Sequence, residues 1–268
     1  SKQLFISQSA VSQSIKVLEK KLNQTLFIRS TKRVQLTPEG EILLKHVEPA
    51  MNLIRKGENQ LLEANTLNGG QLRIGASDTI CRYYLVDHLK EFHLRYPNVH
   101  IKVTNQTSIE CAHLLENGQV DFIITNYPNS GLSNTQNIRM INEFHDVFVA
   151  DRDRFPLEGK KLSLQELQKY PILMLDRKST TSEFLHRMFQ RSQLDLVPEI
   201  ELSSNDLLID LARIGLGIAF VPDFCIPKDE KQLYVLDLEE SLPARQMVVA
   251  YNENLPISQA ARQFMDML

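Results

Sequence analysis

The apolar positions of this chain change rhythm along its length. Near the start, Val11, Ile15, Leu18 and Leu22 recur at spacings of four, three and four, the period of a helix with one inward stripe. Ser7-Gln8-Ser9 breaks the pattern ahead of it, and Ser9 is the expected cap. Gln8, Ser12, Gln13 and Lys16 fall on another face. After Leu26-Phe27-Ile28 come Arg29, Lys32 and Arg33, then the alternating Val34-Gln35-Leu36, a pattern that predicts a hairpin wing with a basic tip. Thr37-Pro38-Glu39 is a helix start: a capping threonine, a proline at the first helical position and an acid near the positive end. That helix should run to about Asn65 and kink at Pro49. Leu44, Val47, Met51, Ile54 and Leu61 form a seam along it, with Leu43, Ala50, Gly57 and Ala64 repeating every seven beside it. A long helix with an apolar seam wants a partner, so it reads as a dimerisation helix, the alternative being one that lies on its own domain.

Asn68-Gly69-Gly70 is a linker, and beyond it strands and helices alternate. The strand Gln71–Gly75, a helix from Tyr83 to Tyr96, the strand Val99–Val103, a helix from Ile109 to Glu116 and the strand Val120–Ile124 make a βαβαβ unit with a parallel sheet. A second alternation follows: strands Ile172–Leu175, Glu199–Leu202 and Ile218–Val221, with helices Phe184–Gln193 and Leu207–Ile214. Two α/β halves in series imply two lobes with a cleft between them. The tail adds a strand, Gln246–Tyr251, and a helix, Ser258–Leu268, returning to the first lobe. The expected division is 1–37, a linker helix over 38–67, and a two-lobed module over 71–268. Within the module, lobe I takes about 71–146 and 249–268, and lobe II about 147–248.

Composition narrows the class. A hydrophobic share of 43% with 24% charged residues suits a globular protein with real cores. No apolar run approaches the roughly 20 residues of a membrane helix, and no export signal opens the chain, so the expected location is the cytoplasm with no membrane partner. Cys81, Cys111 and Cys225 are widely spaced, which argues against a zinc site or a disulfide framework. The net charge of -3 hides an asymmetry. Through Leu36 seven basic residues face one acid, Glu19, leaving 23 basic and 32 acidic residues for the rest. A basic head on an acidic body is the footprint of a nucleic-acid reader joined to something else.

The order Ser7-Gln8-Ser9-Ala10-Val11-Ser12, Ile15, Leu18-Glu19, Leu22, Leu26-Phe27, Arg29, Leu36-Thr37 and Gly40 resembles the signature of LysR-type transcriptional regulators. Gly69-Gly70, Leu72-Arg73-Ile74-Gly75, Asn117-Gly118 with Asp121, and Gly215-Leu216-Gly217-Ile218 with Val221-Pro222 extend the likeness over the whole chain. Family members carry about one and a half further helices ahead of the position of Ser1, so the motif here is partial. Ser9 stands where many members have proline, and Asn23 where many have glycine. The resemblance implies an α/β protein: a partial winged helix-turn-helix, a long linker helix, and a two-lobed effector domain like a periplasmic binding protein. It implies a regulator that is a homodimer or homotetramer, binds double-stranded DNA, needs no cofactor, is not an enzyme, and answers to a small-molecule effector between the lobes.

At the DNA end, Gln8, Ser9, Ser12, Gln13 and Lys16 are the candidates for reading base edges, with Gln13 foremost. Arg29, Lys32 and Arg33 suit phosphate contacts, which position without specifying sequence. At the sensing end, four loops rich in hydroxyls and amides sit where strands should end: Ser77-Asp78-Thr79, Asn105-Gln106-Thr107-Ser108, Ser179-Thr180-Thr181 and Ser203-Ser204-Asn205. Each also fits a plain helix cap, and their recurrence in both halves favours a cleft. Ser77, Thr79, Thr107, Ser108, Thr180 and Ser204 are the candidate effector contacts, with Asn126-Tyr127-Pro128 on the hinge side. Hydroxyls and helix amino-termini suit a small anion, and Arg177 or Lys178 is a candidate countercharge. Asp78 and Asp206 would compete with an anion, which keeps a neutral or zwitterionic effector such as an amino acid open. Seven histidines make no metal spacing, and neither a nucleophile elbow nor a phosphate loop is present in the sequence. The rival reading, a two-lobed solute-binding protein of a transporter, explains 71–268 but not the basic head. A two-lobed transferase or lyase would need a catalytic Asp, Lys or Cys in the cleft, where Asp78 is the one acid evidently placed.

Overall fold

Ser7, rather than Ser9, opens the first helix of the computed structural model: its hydroxyl accepts the N–H of Ala10, and α1 runs Gln8–Leu22. The structure describes residues 7–29, 33–64, 70–133 and 136–268. It resolves into two units, Ser1–Arg55 and Lys56–Leu268, the boundary falling inside the long helix.

In the first unit, α1 ends at Asn23, whose φ of 51° is the left-handed turn that glycine takes most readily and asparagine tolerates. The Glu19 carboxylate then accepts the N–H groups of Leu26 at 2.8 Å and Phe27 at 3.2 Å, tying helix to wing. Strands β1 (Phe27–Arg29) and β2 (Val34–Leu36) pair antiparallel, with Phe27 opposite Leu36. The tip, including Lys32, lies outside the described residues. Thr37 donates to the carbonyl of Thr25 at 2.6 Å and accepts from Gly40 N–H at 3.0 Å, capping α2 (Pro38–Ala64) as the sequence requires. Gly40 admits no side chain, since a Cβ there would stand 2.2 Å from the carbonyl oxygen of Leu26. α2 continues through Pro49. Val11 and Ile15 of the α1 stripe are half-buried, and Leu18 and Leu22 are exposed. Among the described residues of this unit the buried hydrophobic side chain is Leu26. The α2 seam is open as well, with Leu44, Val47, Met51, Ile54 and Leu61 each 43–71% exposed.

The second unit begins with β3 (Gly70–Ala76), which leads into an unbroken helical run: α3 (Asp78–Ile80), a π turn (Cys81–Leu85) and α4 (Val86–Arg95). Then come β4 (Val99–Asn105), α5 (Ser108–Glu116) and β5 (Phe122–Tyr127). β4, β3 and β5 are parallel neighbours, the expected βαβαβ unit. β6 (Gln136–Phe144) remains in this sheet, and β7 (Asp146–Asp151) begins the other after the single residue His145. The second half holds β8 (Lys161–Leu162), α6 (Leu164–Leu167), β9 (Ile172–Leu175), α7 (Thr180–Arg191), β10 (Ile200–Leu202), α8 (Asn205–Arg213) and β11 (Ile218–Pro222). Gly215, with a φ of 74°, turns the chain from α8 into β11. A short 3-10 turn (Asp223–Cys225), β12 (Leu233–Val235) and β13 (Asp237–Leu238) complete it. β14 (Arg245–Asn252) then returns to the first sheet between β5 and β6, followed by α9 (Gln259–Met265).

The two five-stranded sheets, β4-β3-β5-β14-β6 and β10-β9-β11-β7-β12, thus share one plan, and the chain crosses between them twice. Each has its own core. Phe92, Phe122 and Phe264 stack in the first, with ring centroids 5.1 and 5.8 Å apart, so α9 belongs to it. Phe148, Phe189 and Phe220 lie in the second. Asp121 of the Asn117-Gly118 motif is buried and holds the Arg73 guanidinium at 2.7 Å and the Lys56 ammonium at 3.2 Å. Three helices start earlier than their apolar patterns predict, at Asp78, Thr180 and Asn205. Their first turns are polar because Asp78, Thr180 and Asn205 follow caps and border a cavity rather than an apolar core.

Candidate functional site

The residues expected to read bases lie on α1. Gln8, Ser9, Gln13 and Lys16 are exposed and Ser12 is half-buried, with the Gln8 amide donating to the Ser12 hydroxyl at 3.0 Å. Arg29 closes β1, and Arg33 is exposed just before β2.

The cleft is built by four caps. Ser77, Thr107, Ser179 and Ser204 each accept an N–H three residues on, from Ile80, Glu110, Ser182 and Leu207. Each cap satisfies one N–H of the first turn and leaves others without a helical partner, so four positive helix ends converge. They border one cavity of about 400 Å³, whose lining includes all six candidate contacts: Ser77, Thr79, Thr107, Ser108, Thr180 and Ser204. Asn126 also lines it, beside the cis Tyr127–Pro128 bond. Direct bonds join the two halves around it. The Asn205 amide donates to the Thr79 hydroxyl oxygen at 2.8 Å, and the Tyr83 hydroxyl donates to Asp206 at 2.6 Å. Ser130 donates to Glu183 at 2.7 Å on another side. Asn129 fixes the wall by donating to the Ser108 carbonyl at 2.9 Å and to the Thr125 hydroxyl at 2.8 Å.

Thr79 lies in the first turn of α3. Two expectations change. Arg177 points into a separate groove with Ser182, His186 and Arg187, and neither it nor Lys178 lines the cavity. Asp206 is already engaged by Tyr83 and by Arg82 at 3.3 Å, away from the lining. The acids that do line the cavity are Asp78, which accepts from the Asn105 amide, and Asp176, which accepts from Lys178 N–H. The described lining contains no lysine or arginine. Thr181, Asn126, Asn205 and Asp176 border the cavity without having been singled out as contacts from the sequence.

The thiols offer no chemistry here. Burial pushes Cys81 up to about 11 and Cys111 up to about 12, so both stay protonated at neutral pH. Among the described residues no group of histidines, cysteines and carboxylates could hold a metal ion, and no helix is long and apolar enough to cross a membrane.

A winged reader joined to a two-lobed module with a capped cleft defines a ligand-responsive DNA-binding regulator. Residues 65–268 match the LysR substrate binding domain, and residues 1–41 match the bacterial regulatory helix-turn-helix protein of the lysR family. The chain belongs to the LysR family of transcriptional regulators. It is 29% identical over 268 residues to the "Probable RuBisCO transcriptional regulator" of Trichormus variabilis, covering 97% of this chain and 79% of that one. Its fold is similar to the CcmR regulatory domain of Synechocystis PCC6803 solved with 2-PG, with a TM-score of 0.67 and 24% identity over 74% of this chain and 95% of that one. It is also similar to full-length CbnR solved with its target DNA, with a TM-score of 0.68 and 16% identity over 99% and 90%.

Proposed function

We propose that this regulator is switched by a small anion held in the cleft between the lobes. The observation that carries the reading is the convergence of four capped helix amino-termini on one hydroxyl-lined cavity. Each end supplies unpaired N–H donors and about half a positive charge. The CcmR domain's 2-PG is an anion of the size such a cavity admits. In this reading 1–37 reads DNA, 38–67 links and dimerises, and 71–268 senses. Gln8, Ser9, Ser12, Gln13 and Lys16 face the major groove, while Arg29, Lys32 and Arg33 hold phosphates. The protein works in the cytoplasm as a homodimer or homotetramer on double-stranded DNA. A second reading, a zwitterion such as an amino acid, is favoured by Asp78 and Asp176 in the lining.

Calorimetry on the full chain tests this with 2-phosphoglycolate, inorganic phosphate, glycolate, the uncharged glycolamide, and glycine. Saturable binding of at least one of the anions, with glycolamide silent, is the expected outcome. Equal affinity for glycolate and glycolamide, or binding of glycine alone, sinks the anion reading.

A further inference from the structure

The cleft lining has no cation, yet one lies directly behind it. Arg245 begins β14, opposite Phe144 in register, and its side chain is 1% exposed. Its guanidinium lies between the rings of Phe144 and Phe184, 5.4 and 5.1 Å from their centroids. A single nitrogen, Nη1, makes both polar contacts: Asp146 Oδ2 at 2.7 Å and Thr181 Oγ1 at 3.1 Å. Nε, Nη2 and Asp146 Oδ1 are buried without a hydrogen-bond partner among the described residues. Burial pushes the Asp146 carboxyl up even with Arg245 beside it, which makes it a reluctant counter-ion. For stability alone, apolar side chains of similar volume would serve such a place as well or better.

Thr181 connects this charge to the cavity. It is the second residue of α7, is 3% exposed, and lines the cleft. Its oxygen accepts from the guanidinium, so its one hydroxyl hydrogen is turned away from Arg245 and left for another acceptor. Its backbone N–H, in the first helical turn, also lacks an intrahelical partner. Accepting from a cation polarises the hydroxyl into a stronger donor, and the effect is largest where water is excluded.

Resting on the anion reading above, we propose that Arg245 is the cation of the effector cleft, a positioning residue that acts on a bound anionic group through the Thr181 hydroxyl. Asp146 begins β7 just past the first crossing between the sheets, and Arg245 begins β14 just past the second. The link therefore runs from the cleft to the joint between the lobes.

The test is calorimetry of full-length wild type, Thr181→Val, Thr181→Ser and Asp146→Asn against 2-phosphoglycolate and inorganic phosphate, with thermal melts of each. Thr181→Val keeps the side-chain volume and should weaken anion binding about tenfold or more, the size of one charge-assisted hydrogen bond. Thr181→Ser, which restores the hydroxyl, should recover wild-type affinity to within about threefold. Asp146→Asn frees the guanidinium from its counter-ion and should tighten anion binding while lowering the melting temperature, whereas a purely structural pair predicts weaker binding. Wild-type binding with an unchanged Thr181→Val, or a Thr181→Ser that fails as badly, overturns the role of Arg245 and leaves the anion reading standing. If Asp146→Asn does not fold, the two threonine variants decide. No binding of either anion by wild type overturns both.

Discussion

The reader and the sensing module spend their apolar residues differently. In the module the two sheets each close over aromatic cores, with Phe92, Phe122 and Phe264 in one and Phe148, Phe189 and Phe220 in the other, all fully buried. Along α2 the seam of Leu44, Val47, Met51, Ile54 and Leu61 stays open, each 43–71% exposed. Apolar surface left at regular helical spacing is surface meant for another surface. The cores of the module close within one chain, whereas the α2 seam is the surface the proposed dimer would cover.

Breaking that contrast is simplest in the module. Phe264→Ala should cost roughly 3–5 kcal/mol, because the ring meets Phe92 edge-on and stacks on Phe122, and the site cannot collapse freely. Urea unfolding should show the loss as a lower midpoint at an unchanged slope; a change under about 1 kcal/mol would mean α9 is not part of the core.

Met51→Lys acts at the seam. It should shift the protein from dimer to monomer in sedimentation at micromolar concentration, since a charge then enters an apolar contact between helices. The melting of the sensing module should hardly move, because Met51 is 44% exposed in the single chain. A wild type that sediments as a monomer refutes the seam.

The proposed reading divides the reader between two kinds of contact, and two substitutions in the natural full-length protein test that. Gln13→Ala should cost about 1–3 kcal/mol on the preferred site and little on random DNA. Arg29→Ala should weaken both alike and flatten the slope of log K against log salt by about 0.9. Equal losses of specific and non-specific binding in the two variants would reject the division.

The smallest effect is in acid. Burial alone would raise Glu230, but Arg213 and the N–H groups of Gln232 and Leu233 hold its carboxyl down at about 2. A depressed carboxyl contributes stability above its unfolded value that is lost as pH falls toward the folded one. The melting temperature of wild type should therefore drop more than that of Glu230→Gln between pH 5 and pH 2, and parallel curves would show the site to be neutral.

What the sequence made legible follows the range of the interactions. The wing, the Thr37 cap, the βαβαβ unit and the four cap loops are local patterns, and the periodicity and the cap residues are enough to find them. Ser9 was the wrong cap because Ser7 offers the same hydroxyl at the spacing Ala10 requires. Strand β6 is hard to read from the sequence because it is exposed over much of its length and shows no clean alternation. The partners of the cleft were least visible. Asn205 meets Thr79 across 126 residues of sequence, and Arg245 meets Asp146 and Thr181 across 99 and 64. Nothing beside Arg245 in the chain marks it, whereas Arg177 and Lys178 lie next to a cap and yet do not line the cavity.

The central claim is that the cleft and the reader are one device, linked through a small anion. The direct test is fluorescence anisotropy of the natural full-length protein on DNA flanking its own coding region, with and without 2-phosphoglycolate, and with glycolamide as control. By linkage the anion must change DNA affinity, by a factor of about 5–150 if the coupling is of ordinary size. Thr181→Val should respond only at a higher anion concentration, and glycolamide should do nothing. DNA affinity that is the same with and without an anion already shown by calorimetry to occupy the cleft would contradict the account.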